Sequence, residues 1–515
     1  MFVKILLLVV FFGVMVAVGL YCKKHATDVN GFVLGGRSVG PWLTAFAYGT
    51  SYFSAVIFVG YAGQFGWKFG IASTWIGIGN AILGSLIAWV VLGRRTRLMS
   101  QHLDSATMPE FFGKRYDSNA LKIGASIIVF IFLIPYTASL YNGLSRLFSM
   151  AFNINYVYCI IAMAILTGIY VIAGGYMATA INDFIQGLIM LAGIVAVIAA
   201  VLIQNGGFMG AMEGLARVQD PSVTDMPGAF ASFFGPDPFS LLMVVILTSL
   251  GTWGLPQMVQ KFYAIKSEKS INKGTIISTA FAIIVAGGCY FLGGFGRLFS
   301  DKIDIAANGY DSVIPTMLAN LPDILIGVVV VLVLSASMST LSSLVLASSS
   351  TLTLDLISGN IVKNMSEKTK VLIMRILIVV FILISAVIAI IQANSKVTFI
   401  AQLMGISWGA LAGAFLAPFL YGLYWKKATS SSVWCSFIFG TLFMVWNMVC
   451  TLTKTAVPAV LASPINCGVI SMLAGLVIVP VVSAFTRKQP KDRLDKIFSC
   501  YEQKVVVSAK ESLGD

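Results

Sequence analysis

The sequence has few charged residues, few histidines and no paired cysteines, and each shortage excludes a class of protein. Only 11% of the 515 residues are charged, against roughly 25% in an ordinary soluble domain. The only histidines, His25 and His102, lie in polar connections, so the apolar segments contain no ligands for a zinc site or a histidine proton relay. The 7 cysteines are scattered along the chain, and we expect no disulfide framework.

Long apolar runs take the place of these features. Hydrophobic residues make up 58% of the chain and the mean hydropathy is +0.90. Runs of about 20 or more apolar residues recur along nearly the whole length, which predicts an all-α polytopic membrane protein with about 13 transmembrane helices. The first run, residues 2–21, is long enough to be a retained first helix and not a cleaved signal.

The distribution of basic residues predicts an orientation. If the N-terminus lies outside, roughly three quarters of the 34 lysines and arginines flank cytoplasmic connections, as the positive-inside rule requires. This topology accounts for the net charge of +13 without a nucleic-acid partner. We therefore expect an integral protein of a bacterial-type plasma membrane, embedded in the lipid bilayer, with its C-terminus in the cytoplasm. The oligomeric state is left open.

Two predicted spans are interrupted by glycine and polar residues where a span should be uniformly apolar. The interruptions are Tyr48–Ser54 in the second span and Gly251–Pro256 in the seventh. Breaks at matching places in two halves indicate an inverted-repeat transporter, whereas either break alone is also compatible with a simple kink. The predicted division is a first extra helix (1–22), a first inverted repeat (41–205), a second inverted repeat (238–424), two extra C-terminal helices (430–486) and a cytoplasmic tail (487–515).

Hydroxyl side chains and one acid are candidates for binding a cation. Ser335, Ser339, Ser342 and Ser343 recur at helical spacing on one face of the ninth span, and Asp183 lies at the start of the sixth. No lysine or arginine is expected deep in a span. Hydroxyls, carbonyls and one carboxylate suit a hard cation such as Na⁺ better than a transition metal. The alternatives are small-residue helix packing for the serines and an interfacial position for the acid.

Three segments carry a resemblance to a known family: Gly35–Gly40, Ser105–Tyr116, and Ala336–Thr340 with the two serines that follow it. They resemble the sodium:solute symporter family, which includes sodium/proline, sodium/pantothenate and sodium/monocarboxylate symporters. The resemblance implies a leucine-transporter-type core of two inverted five-helix repeats, with one helix before it and two after. It also implies Na⁺ as the coupling ion, with one or two ions bound.

The resemblance further implies ligands for these ions. A first sodium site would consist of the carbonyls of Thr50, Phe53 and Ala336 and the hydroxyls of Ser339 and Thr340. Some members of the family bind a second ion, for which the matching positions are Asp183, Ser339, Ser342 and Ser343.

The candidate substrate-binding residues surround the two helix breaks, whose free backbone donors suit a carboxylate. Tyr136 matches a substrate-pocket tyrosine of the sodium/proline symporter. That symporter has an aspartate where this chain has Tyr52, and large aromatics in place of Thr248 and Thr252. The surroundings of Tyr52 and of Asp183 are more similar to the pantothenate and monocarboxylate branches. The candidate residues are Ser54, Tyr136, Thr252, Trp253 and Gln402.

Together these features predict a sodium-coupled symporter that imports a small organic solute by alternating access. The expected solute carries a carboxylate: an amino acid such as proline, pantothenate or a monocarboxylate. Two alternatives stay open, a proton-coupled transporter of the same fold with Asp183 as the carrier, and a membrane receptor that binds without transport. An enzyme is not expected, because the spans lack histidine and any pair of acids suited to acid–base catalysis.

Overall fold

The computed structural model describes residues 2–23, 26–152, 154–358, 360–362, 364–394 and 400–502. His25 and the last 13 residues of the predicted tail, 503–515, lie outside this part of the chain. The described residues are almost entirely helical and form no β-strand, in agreement with the predicted fold class.

Thirteen helical segments follow one another along the chain at positions close to the predicted spans. They are α1 (Phe2–Cys22), α2 (Pro41–Tyr52, then Val56–Tyr61 and Ala62–Phe69), α3 (Thr74–Gly79, Asn80–Ile87, Trp89–Gly93 and Arg94–His102), α4 (Asn119–Phe152), α5 and α6 (the parts of Tyr156–Gln204 before and after Gly175), α7 (Pro238–Leu250, Gly251–Gly254 and Pro256–Ala264), α8 (Glu268–Gly293), α9 (Asp323–Ile357), α10 (Glu367–Asn394), α11 (Ile400–Tyr424), α12 (Ser430–Thr453) and α13 (Pro464–Phe485).

Two of the continuous helical stretches are too long for one crossing. By length and composition, 10 helices of the described chain qualify as spans, and the bent pair in α7 is an eleventh. Val56–His102 and Tyr156–Gln204 contain 47 and 49 residues. At about 1.5 Å per residue each would measure roughly 70 Å, more than twice the hydrocarbon thickness. Each stretch therefore holds two crossings, which agrees with about 13 helices.

Glycines divide these two stretches. Gly70 (φ +61°) lies between α2 and α3, and Gly175 (φ +55°) between α5 and α6. Residues with a Cβ rarely adopt such angles, so glycine permits the chain to change direction here. A Cβ on Gly175 would also lie 2.8 Å from the Phe32 carbonyl oxygen, which excludes larger residues on steric grounds.

Both predicted helix breaks are confirmed. The first half of α2 ends at Tyr52, and Phe53 is extended (φ −98°, ψ 126°). In α7, a 3₁₀ turn over Gly251–Gly254 and an extended Leu255 separate two halves that meet at a bend of 49°. Pro256 begins the second half, a position where its missing N–H costs no helical hydrogen bond.

Helix α9 forms the centre of the bundle. Every residue from Leu332 to Thr351 is buried, and the helix packs against α4, α6, the first half of α2 and the second half of α7. Large apolar side chains such as Val9, Ile165 and Leu383 are exposed on outer helices, as expected for surfaces that contact lipid. The hydroxyl-rich helix α9 is thus in contact with both broken helices.

Candidate functional site

The break in α2 faces the hydroxyl-rich part of α9. Thr340 Oγ1 lies 3.3 Å from the Thr50 carbonyl oxygen, 3.3 Å from that of Phe53 and 3.1 Å from that of Ala336. All four residues are buried. Because the first half of α2 ends at Tyr52, the last carbonyls of this half have no helical amide one turn further on to bond with. They are therefore free to point at α9.

Four oxygen atoms therefore lie close together, and they offer more hydrogen-bond acceptors than donors. A threonine hydroxyl carries one proton, so Thr340 can donate to only one of the three carbonyls. Oxygen ligands lie ~2.3–2.6 Å from a hard cation the size of Ca²⁺, which places neighbouring ligands of an octahedral shell ~3.3–3.7 Å apart. The spacing around Thr340 is close to this range, and a cation would neutralise the converging lone pairs.

Ser339 is the remaining predicted ligand of the first sodium site. Its hydroxyl is buried and has no hydrogen-bond partner within the described residues. The structure therefore brings Thr50 and Phe53 at the α2 break into contact with Thr340 on α9, one turn after Ala336. Ser339 precedes Thr340 on the same turn, and its hydroxyl faces Asp183.

The residues predicted for a second sodium ion lie on two helices: Asp183 on α6, and Ser339, Ser342 and Ser343 on α9. Asp183 of α6 is fully buried, and the Ser339 hydroxyl faces its carboxylate without forming a hydrogen bond of standard geometry. Ser342 donates to the Ser339 carbonyl at 2.8 Å, so its hydroxyl is already engaged by its own helix. Ser343 Oγ lies 2.8 Å from Ser51 Oγ on α2.

A lysine occupies this second group of residues, contrary to the expectation that no basic residue lies deep in a span. Lys261, near the end of α7, is only 2% exposed. Its ammonium lies 2.9 Å from Ser343 Oγ and 3.8 Å from Asp183 Oδ2. A lysine near the end of an apolar run normally extends to the membrane surface, so its position in the sequence does not reveal that this side chain turns inward.

Two of the predicted substrate-binding residues meet beside the α2 break. The hydroxyls of Ser54 and Tyr136 are both buried and face each other, and within the described residues neither forms a hydrogen bond of standard geometry. The Tyr136 ring packs edge-to-face on Trp408 with centroids 5.9 Å apart. The Trp408 indole N–H is also buried and faces the Tyr136 hydroxyl without a hydrogen bond of standard geometry. Buried polar groups normally have well-formed hydrogen bonds, so three that meet in one place without them indicate a ligand-binding position.

The other predicted substrate-binding residues are arranged differently. Thr252 donates to the Ser249 carbonyl at 2.8 Å, and the Trp253 indole donates to the Leu83 carbonyl at 3.0 Å. Thr252 is thus engaged by the preceding turn of α7, and Trp253 anchors the α7 break to α3. Gln402 is half-buried and lies more than one helical turn before Trp408 on α11.

Trp408 packs on Tyr52, which connects the two broken helices, and it was not among the predicted residues. Its ring stacks on Tyr52 of α2 with centroids 6.0 Å apart. Tyr52 in turn donates to the Thr248 carbonyl of α7 at 2.6 Å. The sequence offers one signal for Trp408: a tryptophan between Ser407 and Gly409 in an apolar run combines a polar tip with neighbours small enough for close helix approach.

The motif Ser105–Tyr116 consists of a capping segment and the short helix that follows it, and it lies between the end of α3 and the start of α4. Thr107 is the N-cap of the helix Met108–Tyr116 and accepts from the Glu110 N–H at 3.2 Å, as the capping-box spacing predicts. The Thr107 hydroxyl donates to Asp355 Oδ2 at 2.6 Å. This contact ties the motif to the end of α9.

Comparisons with known proteins identify relatives that align over most of the chain. The osmoregulated proline transporter OpuE of Bacillus subtilis (strain 168) is 29% identical over 487 residues, covering 94% of both chains. The sodium/proline symporter 2 of Staphylococcus saprophyticus is 30% identical over 448 residues, covering 85% of both chains.

A solved structure shares the fold. A Na⁺-coupled sialic acid symporter, in a substrate-bound outward-open state, superposes with a TM-score of 0.72 over 95% of this chain and 99% of its own, at 17% identity. The model of the sodium:solute symporter family matches residues 32–440, from before the first broken helix into α12. This chain is therefore a member of the sodium:solute symporter family, and it is a transporter and not an enzyme.

Proposed function

We propose that this chain is a sodium-coupled secondary active symporter that imports a small carboxylate-bearing solute by alternating access. The observation that carries the proposal is the convergence of the Thr50, Phe53 and Ala336 carbonyls on the Thr340 hydroxyl. We assign Na⁺ to this position, with Ser339 as a further ligand.

The location of the site explains how ion binding can drive transport. The ligands come from α2 and α9, so an ion between them stabilises the arrangement in which the two helices are close. A ligand shifts a conformational equilibrium by its difference in affinity for the two states. Sodium would favour the outward-open state, and its release into the cytoplasm would allow α2 and α9 to separate. Because coupling is reciprocal, bound solute should also increase the affinity for sodium.

We place the solute next to the same break in α2. Ser54, Tyr136 and Trp408 offer buried polar groups that form no hydrogen bond of standard geometry within the described residues, and hydroxyl and indole donors are suited to a carboxylate. The α7 break, with Thr252 and Trp253, forms the facing wall, and Gln402 lies toward one end. Proline is the first candidate, since relatives that align over most of the chain are named as proline transporters. Pantothenate and monocarboxylates remain candidates because Tyr52 and Thr248 differ from the sodium/proline symporter.

The remaining predictions belong to the same proposal. We assign residues 41–205 and 238–424 to two inverted repeats, each beginning with a broken helix. The N-terminus would lie outside, with the cap at Thr107 and the basic connections in the cytoplasm, in a bacterial-type plasma membrane.

Uptake by purified protein in sealed proteoliposomes tests the proposal. Labelled proline, pantothenate, a short monocarboxylate and a hexose are offered under an inward sodium gradient, an inward proton gradient or no gradient. We expect sodium to drive accumulation of one carboxylate-bearing solute. Accumulation under the proton gradient alone would contradict the choice of ion, and binding without accumulation would support a receptor.

A further inference from the structure

We propose that the Lys261 ammonium is the resident cation of the pocket formed by Asp183, Ser339 and Ser343, so that no second sodium ion binds there and one is carried per cycle. The inference rests on the proposed function, because it concerns the number of coupling ions.

The contacts of Lys261 are those expected for a bound cation. Its ammonium lies 2.9 Å from Ser343 Oγ and 3.8 Å from Asp183 Oδ2. On another side it lies 5.1 Å from the centroid of the Tyr176 ring, within the range of a cation–π contact. Ser51 Oγ completes the surroundings through its 2.8 Å contact with Ser343 Oγ. These residues come from α2, α6, α7 and α9.

The charge balance of the pocket leaves no place for a second ion. Asp183 and Lys261 are both at least 98% buried, and their opposite charges cancel. Within the described residues, neither Asp183 oxygen accepts a hydrogen bond, so Lys261 is the group that offsets this carboxylate. A sodium ion bound to Asp183 and Ser343 would have to share their oxygens with the ammonium, and two like charges so close together repel strongly in a buried pocket.

The hydroxyls of the pocket are also largely committed. Ser342 is bonded to the Ser339 carbonyl, and Ser343 contacts both Lys261 and Ser51. Of the three serines predicted as ligands of a second ion, only Ser339 has an uncommitted hydroxyl, and we assign it to the first sodium site. The second set of ligands thus does not offer an independent oxygen shell.

A tethered ammonium differs from sodium in that it cannot leave. Lys261 belongs to the second half of α7, whose residues are all buried, so its charge moves with that half-helix through the cycle. It keeps Asp183 neutralised in every state, and only the ion at Thr340 is exchanged with the solution.

Counting sodium ions on the full-length protein tests the inference. Equilibrium binding of ²²Na⁺ to purified protein gives the number of sites, and the reversal potential of solute flux in proteoliposomes gives the ratio of sodium to solute. We expect one ion by both methods. Two ions in the unmodified protein would overturn the inference while leaving the proposed function intact. Absence of sodium-dependent uptake would instead refute the proposed function.

Three variants separate the role of Lys261 from a general effect on folding. Lys261→Gln removes the tethered charge and should raise the number of bound ions from one to two, whereas Lys261→Arg should retain one. The double variant Lys261→Gln with Asp183→Asn removes both charges and should return to one. The double variant also tests the inference if Lys261→Gln alone fails to fold. Without either charge the pocket should bind no ion, and the protein should bind only the ion at Thr340. One ion in a folded Lys261→Gln protein, or two in the double variant, would overturn the inference.

Discussion

Thr340 Oγ1 on α9 lies 3.3 Å from the carbonyl oxygen of Phe53, the first residue after the first half of α2 ends. This contact joins a broken helix to an unbroken one. It depends on two sequence features that are 287 positions apart: the glycine and hydroxyl residues that interrupt α2, and the threonine that follows Ser339 on the central helix. An ion bound there would connect α2 and α9, and separation of the two helices would release the ion.

Replacing Thr340 by alanine should weaken sodium binding selectively. Its hydroxyl contacts all three carbonyls. Interactions with a charged group contribute ~1.5–3 kcal/mol, so the sodium concentration for half-maximal uptake should rise at least about tenfold. Sodium titration of solute uptake measures this shift, and Thr340→Ser should remain close to the unmodified protein.

Ser350→Ala is the matched control for this prediction. Ser350 is buried on the same helix, and its hydroxyl contacts the Ala347 carbonyl of its own helix at 3.2 Å. Its removal should leave sodium dependence unchanged. Equal shifts for Thr340→Ala and Ser350→Ala would show that the loss is one of helix packing and would contradict the sodium assignment.

Tyr136→Phe and Trp408→Phe should affect the solute more than the ion. Each removes a buried donor that forms no hydrogen bond of standard geometry in the described part of the chain. If these donors bind the solute carboxylate, KM for the solute should rise roughly tenfold while half-maximal sodium at saturating solute changes little. Tyr141→Phe is the control, because Tyr141 has an equally buried and unpaired hydroxyl on the same helix but is not assigned to the pocket. A larger effect of Tyr141→Phe would contradict the placement of the solute.

Much of the fold could be predicted from local sequence. Apolar runs fix the number of crossings, and the breaks at Phe53 and Gly251–Gly254 were visible as glycine and polar residues inside apolar segments. Gly174 and Gly175 are a further signal of this kind, because the pair separates two apolar runs and the structure divides α5 from α6 at Gly175. Such features act within one or two helical turns, so they can be recognised without knowing which helices are neighbours.

The candidate site was predicted less completely, because it depends on contacts between distant segments. Family resemblance provided the ligands around Thr340, but neither periodicity nor composition places Lys261 beside Asp183. A lysine near the end of an apolar run normally extends to the membrane surface. Its inward direction follows from the packing of the second half of α7 against α9. Trp408 was missed for the same reason, since its contacts with Tyr52 and Tyr136 exist only after three helices meet.

Arg297 should be important for stability at the end of the bundle away from Thr107. Its guanidinium lies between the rings of Trp67 and Phe230, 4.5 Å and 4.2 Å from their centroids, and pairs with Asp220. Arg297→Ala should lower the free energy of unfolding by about 2–4 kcal/mol, because it removes planar stacking as well as charge. Arg297→Lys should restore only part of this, since lysine cannot stack in the same way. Thermal unfolding in detergent measures the difference.

The same pair predicts a dependence on pH. Hydrogen bonds from Ser222 and Arg297 hold the pKa of Asp220 below its ordinary value. The stabilisation is therefore complete above the unfolded pKa of roughly 3.9 and is lost as the pH falls through the lowered folded value. Asp220→Asn should remove this acid-side loss and should leave the shape of the stability profile above pH ~5 unchanged. A changed profile near neutral pH would contradict the assignment.

Asp183→Asn distinguishes a tethered cation from a second sodium ion without counting ions. If a second ion bound there, the variant would mainly raise the sodium requirement for uptake. With Lys261 in the pocket, the variant leaves a buried ammonium without a counter-ion, and breaking such a pair costs about 3–5 kcal/mol. We therefore expect a large fall in thermal stability that added sodium does not reverse. The double variant with Lys261→Gln should recover much of the stability, whereas rescue of Asp183→Asn by high sodium alone would contradict this account.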